Sequence, residues 1–255
     1  MQTILAISQN VFRRALRSKI FTVLLVFAIG LIFLSRVFEF LTFTAEIKLI
    51  KDIGLASIAF FTALITIFLS GETITGEIEE RTIYTVLSKP VSRQGLILGK
   101  FLGIVWAILA TLTITGVAFF ILLCLKQRTI PGMVFGALFF IFLEAAVISS
   151  IAIMFSSLSS STTTSTVFTF FIYVLGHFNP QLRFLGEGTK EALAKWAIKI
   201  IVWILPNLEY FNVREKATQN IPIPPAFVGK ATLYALIYIL AMLTIAYLFL
   251  RKKEF

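Results

Sequence analysis

The sequence predicts an all-α integral membrane protein with six transmembrane helices, an N-terminal interfacial amphipathic helix and a cytoplasmic helical elbow between spans two and three. Three observations predict it. The 255 residues are 58% hydrophobic and only 14% charged, with a mean hydropathy of +0.93. Several uncharged runs extend for 17 or more residues, enough for helices that cross a hydrocarbon core of roughly 30 Å. Those runs are continuously apolar, whereas lipid-facing strands would alternate with a period of two.

Net charge is +10 and the pI is near 9.9. The basic residues are scattered at the ends of apolar runs, where they suit anionic headgroups, so the lipid bilayer is expected as a partner and nucleic acid is not. A single cysteine, Cys124, excludes an intrachain disulfide and a thiolate zinc cluster.

Residues 1–19 are expected in the interface. Ile4, Ile7, Val11 and Ala15 share one helical stripe, with Leu5, Phe12 and Leu16 beside it, and Arg13, Arg14, Arg17 and Lys19 crowd the end that enters the membrane. No small-residue cleavage site follows the next apolar run, which argues against a cleaved leader. The first span, 20–41, extends past the uncharged stretch from Ile20 to Ser35 and carries Arg36 and Glu39 as a pair near the far interface. A polar segment with Glu46, Lys48, Lys51 and Asp52 precedes the second span, 53–70, and the third is 101–125.

The fourth and fifth spans, 133–155 and 163–178, divide at Ser156 to Ser165. Nine of those ten residues bear hydroxyls, which bond locally to the backbone and favour a short connection. Residues 179–230 are expected as an extracytoplasmic or re-entrant segment. Within it Trp196 to Leu205 is too short to cross; with Lys195 and Lys199 at i, i+4 it suits an interfacial or re-entrant helix ended by Pro206. The sixth span is 231–250. Six spans put both termini on one side, expected to be cytoplasmic in a multi-pass protein of the cell (plasma or inner) membrane. Four basic residues precede the first span and three follow the last, whereas the chain as a whole divides 11 inside and 12 outside. The assignment therefore rests on the charges beside the terminal helices.

No enzyme signature survives inspection, and no catalytic, cofactor or metal residue is expected. Gly95 to Lys100, GLILGK, is one residue short of a phosphate loop, and Phe101 stands where a magnesium-binding hydroxyl belongs. Gly95, Gly99 and Gly103 fall at successive i, i+4 positions and suit close helix packing; Gly132 and Gly136 repeat the spacing. Glu144 is a carboxylate near mid-bilayer, read either as a pathway or proton-relay residue or as a hydrogen-bonded seal against the Ser- and Thr-rich fifth span. His177, at the outer end of that span, reads as structural.

The most informative stretch is residues 71–100, GETITGEIEERTIYTVLSKPVSRQGLILGK. It holds Glu72, Glu77, Glu79, Glu80, Arg81, Lys89, Arg93 and Lys100 between two apolar runs. Thr73 to Leu87 favours helix, Ser88-Lys89-Pro90 breaks it, and Ser92 can cap a new helix leading into the third span. Thirty residues are long for a link that usually takes about 2 to 8, and Ile83, Tyr84, Val86, Leu87 and Val91 lie among the charges, so a protein contact is expected here.

At Gly76 to Thr82, at Leu87-Ser88-Lys89-Pro90-Val91-Ser92-Arg93 and at Leu98-Gly99-Lys100-Phe101 the chain resembles the permease subunit of ATP-binding-cassette (ABC) transporters of the type-2 exporter superfamily. The basic amphipathic start, Leu205-Pro206-Asn207 and the end Arg251-Lys252-Lys253-Glu254-Phe255 are similar too. The resemblance implies that 71–100 is a cytoplasmic coupling helix docking on a separate ABC ATPase subunit through Glu77, Glu79, Glu80, Arg81, Tyr84, Leu87, Pro90, Val91, Ser92 and Arg93. A second cytoplasmic contact is implied at Ser157, Leu158 and Ser159, although this turn lacks the charge of the family pattern. ATP and Mg would bind the partner ATPase and not this chain, which would form the translocation pathway, convert ATP-driven closure into alternating access for export, and pair with a second permease chain, in the expected case as a homodimer. The alternative from the residues alone is an ion-coupled transporter or channel using Glu144.

Overall fold

The computed structural model describes residues 2–35, 46–79, 92–127, 132–188 and 192–252, and among these every regular element is helical. The elements are α1 (Gln2–Arg17), α2 (Lys19–Leu34), α3 (Glu46–Glu79), α4 (Arg93–Gln127), α5 (Gly132–Leu158), α6 (Thr162–His177), α7 (Asn179–Gly188), α8 (Ala192–Ile204), a 3₁₀ turn (Leu208–Phe211), α9 (Arg214–Thr218) and α10 (Pro225–Lys252). The expected Arg36–Glu39 pair, the end of the first span and most of the elbow lie outside the described residues.

The helix α5 is the centre. Every residue from Leu143 to Ile153 is buried, the polar Glu144, Ser149 and Ser150 included, as in a helix enclosed on all sides by others. It packs between α3 and α10, with α6 and α4 closing the ring and α1 lying on α4. Contacts define two ends. Residues 14, 72–79, 93–100, 156–162 and 250 meet at one, called here the elbow end. Residues 51–52, 207–220 and 234 meet at the other.

Among the described residues four helices, α3, α4, α5 and α10, are long and apolar enough to cross a membrane, and α1 with α2, bent by 61° at Ser18, makes a fifth if the two count as one broken span. Six spans were expected; among the described residues the other two candidates are short. The helix α6 stops after 16 residues, about 24 Å, where Phe178 leaves the helical backbone conformation and α7 starts at Asn179 with Pro180, which has no N–H to continue the ladder of α6. The described part of α2 is also 16 residues.

Two boundaries differ from expectation. The polar segment before the second span is the first turns of α3, because α9 packs there: Arg214 Nε lies 3.4 Å from Asp52, and the buried Lys51 donates to Asn220 Oδ1 at 3.0 Å. The Ser/Thr connection shrinks to Ser159–Ser161, with Ser159 Oγ accepting the Ser161 N–H at 3.1 Å. The 3₁₀ turn Leu208–Phe211 packs on α6 and α5. Gly176 lets Pro206 and Leu208 come close, since a Cβ there would sit 2.8 Å from Leu208, and the Asn207 N–H donates to the Tyr234 hydroxyl at 2.9 Å.

Candidate functional site

The α1 stripe Ile4, Ile7, Val11 meets the glycine ladder of α4. A Cβ at Gly99 would lie 2.9 Å from Ile7, and one at Gly103 would lie 2.6 Å from Val11 and 2.7 Å from the Ser8 carbonyl. Only glycine permits that approach. The apolar stripe expected to face lipid therefore faces α4, while Leu5 and Leu16 remain exposed. Gly132 has open space around it and Gly136 meets only Ile223, so the second glycine pair marks no helix crossing.

At the elbow end the described residues of the expected partner interface are bound within the chain. Glu77 lies 2.6 Å from Lys100, which is 1% exposed at the base of α4 and also donates to the Thr73 carbonyl. Glu79 accepts the Thr162 N–H at 2.8 Å and the Thr162 hydroxyl at 3.0 Å. That places a carboxylate on the free N–H groups that open α6, where negative charge is favoured. The same backbone and hydroxyl donors of Thr162 hold the Glu79 carboxyl below the usual carboxylate range. Ser92 accepts the Gly95 N–H at 3.1 Å and caps α4. Arg93 donates to the Leu250 carbonyl near the end of α10, and Arg14 pairs with Glu72 at 3.3 Å. Glu80, Arg81, Tyr84, Leu87, Pro90 and Val91 lie outside the described residues.

The α5–α6 turn is wedged into α3. Ser156 Oγ accepts from the Ile74 and Thr75 N–H groups at 3.0 and 3.1 Å and donates to the Gly71 carbonyl at 3.0 Å. A side chain entering the backbone ladder in this way is a recognised site of helix bending. Of the three expected second-contact residues, Ser157 is buried, its hydroxyl donating to the Met154 carbonyl at 2.7 Å, whereas Leu158 is 49% exposed. Ser159 lies in the turn itself, its hydroxyl donating to the Ser161 carbonyl at 3.0 Å.

Glu144 faces His177, Oε1 to Nε2 at 3.4 Å, in a cavity of about 340 Å³ also lined by Tyr173, Asn212 and Arg214. His177 Nδ1 sits 3.1 Å from the Tyr173 carbonyl, which can only accept, so the Nδ1 proton belongs there and Nε2 faces the carboxyl. Sequence reasoning set His177 aside, yet it stands about four turns from the Ser159–Ser161 turn, as Glu144 does, so an antiparallel helix pair brings them level.

The arrangement is thus a bracket joining α1, α3, α4, α6 and α10 at one end, and a pairing of the buried Glu144 on α5 with the half-buried His177 on α6. No group of side chains able to hold a metal ion occurs among the described residues. None of the curated proteins compared matches the chain at a significant level. The family model for ABC-2 family transporter proteins matches residues 5–255, and the chain belongs to that family, a membrane component of ABC transport.

Proposed function

We propose that this chain is the permease subunit of an ABC transporter, receiving the work of a separate ATPase subunit at residues 80–93 and converting it into alternating access, with export the expected direction. The observation that carries the reading is the bracket around that segment. Its two flanks, Glu79 and Arg93, are fixed to α6 and α10, so a push on the elbow is delivered to two of the helices that pack on α5. A nucleotide can drive this only by favouring one state over the other in free energy. On this reading the elbow end is cytoplasmic, α2 and α6 complete six spans by crossing as short or broken helices, and a second copy of the chain completes the pathway.

The test is co-purification from membranes with and without Leu87→Asp. Wild type is expected to retain an ATP-hydrolysing subunit, and the variant to lose it at least tenfold while inserting normally. Unchanged retention overturns the reading. The Glu144–His177 pair supports a second reading, ion-coupled flux without a motor, which predicts proton-linked flux through the purified chain alone.

A further inference from the structure

A cavity of about 800 Å³ opens between α7, α8 and α10 at the end opposite the elbow. Four cations line it, namely Arg183, Lys195, Lys199 and Lys230, and no acidic side chain does so among the described residues. Helical spacing brings them together: Asn179 and Arg183 on α7, Lys195 and Lys199 on α8, and Lys230 and Tyr234 on α10 are each i, i+4 pairs on one face. Between the cations, Ile198, Val202 and Leu205 supply an apolar wall. The Asn179 and Asn207 amide oxygens, on residues lining the same cavity, are buried without a hydrogen-bond partner.

The rim decides the class of occupant. Phe184, Leu193 and Trp196, on the same two helices as the α7 and α8 cations, are 78%, 89% and 69% exposed, as suits side chains that meet acyl chains and headgroups. Four exposed positive charges converge on this one cavity with no carboxylate among its described lining, which favours an anionic headgroup as occupant. A small soluble anion would satisfy the cations and leave the apolar wall bare. We propose that this cavity binds an acidic phospholipid, its phosphate among Arg183, Lys195, Lys199 and Lys230, its acyl chains along Ile198, Val202 and Leu205, and its headgroup hydroxyls within the polar half. The site is distinct from the elbow and stands whether or not an ATPase drives the chain.

The experiment is native mass spectrometry of the full chain in neutral detergent, titrated separately with phosphatidylglycerol, phosphatidylcholine and inorganic phosphate. Phosphatidylglycerol is expected to bind one per chain and at least tenfold more tightly than phosphatidylcholine, with inorganic phosphate failing to displace it. Lys195→Gln with Lys199→Gln, and separately Lys230→Gln on the other wall, should each weaken phosphatidylglycerol about tenfold without shifting the elution volume. Equal retention of the two lipids, unchanged retention by both variants, or displacement by inorganic phosphate overturns the proposal. So do cross-links from Lys199 to a second copy of the chain that phosphatidylglycerol does not compete away.

Discussion

Lys100 sits 1% exposed where α4 meets α3, its ammonium 2.6 Å from Glu77 and bonded to the Thr73 carbonyl. Removing one partner of a buried pair strands the other, a loss of about 3–5 kcal/mol, whereas replacing both with groups of similar volume is close to neutral. Lys100→Met should therefore lower the unfolding midpoint in detergent sharply, and Lys100→Met with Glu77→Gln should recover most of the loss; a double variant as weak as the single one would refute the pairing. The exposed Arg14–Glu72 pair is worth about 0–1 kcal/mol and serves as the contrast. Glu79 adds a pH dependence. Its carboxyl is held low by Thr162, so the stabilisation it gives α6 is present above the usual carboxylate range and is lost as pH falls through the depressed value. Hydrogen exchange at the Thr162 amide, corrected for intrinsic rate, should show protection at neutral pH that fades in acid, and Glu79→Gln should remove that dependence. None of these pairings was legible from charge alone, because a count of charges between two apolar runs does not say which of them face inward. Glu77 and Lys100, 23 positions apart, are brought together only by the antiparallel packing of α3 on α4.

Among the elements, the α1–α4 crossing is the sharpest case of packing that the sequence half disclosed. Glycines at i, i+4 marked a close approach, but the partner was not identifiable until the stripe Ile4, Ile7, Val11 was seen in register with Gly95, Gly99 and Gly103. Gly103→Leu drives a branched side chain into Val11 and the Ser8 carbonyl, and overpacking of this kind costs about 1–3 kcal/mol. Limited proteolysis should then cut within α1, which wild type protects. Gly132→Ala, with nothing within 4 Å, should leave proteolysis and stability unchanged. Helix existence was readable wherever apolar runs were long. The boundaries were not, because tertiary partners enter into them: the polar residues Lys51 and Asp52 are already helical in α3, where Asn220 and Arg214 meet them, and α6 ends at His177 with a new helix starting at Asn179.

At the scale of the whole molecule the membrane component is clear from hydropathy and family, while its sidedness depends on which contacts share an end. Elbow-end residues from α1, α3, α4, the α5–α6 turn and α10 converge, and the 207–220 segment lies on α3 and α5 at the other end. Opposite faces should therefore be reachable at Leu158, 49% exposed beside the turn, and at Ile221, 45% exposed in the link before α10. With Cys124→Ser as background, Ile221→Cys should react with a membrane-impermeant maleimide in intact cells, and Leu158→Cys only once the inner face is opened. The opposite pattern would invert the chain and put the elbow out of reach of any cytoplasmic ATPase. Labelling of both from one side would mean that α5 and α10 do not carry these two positions to opposite faces, and the bracket could then not act as a lever across the bilayer.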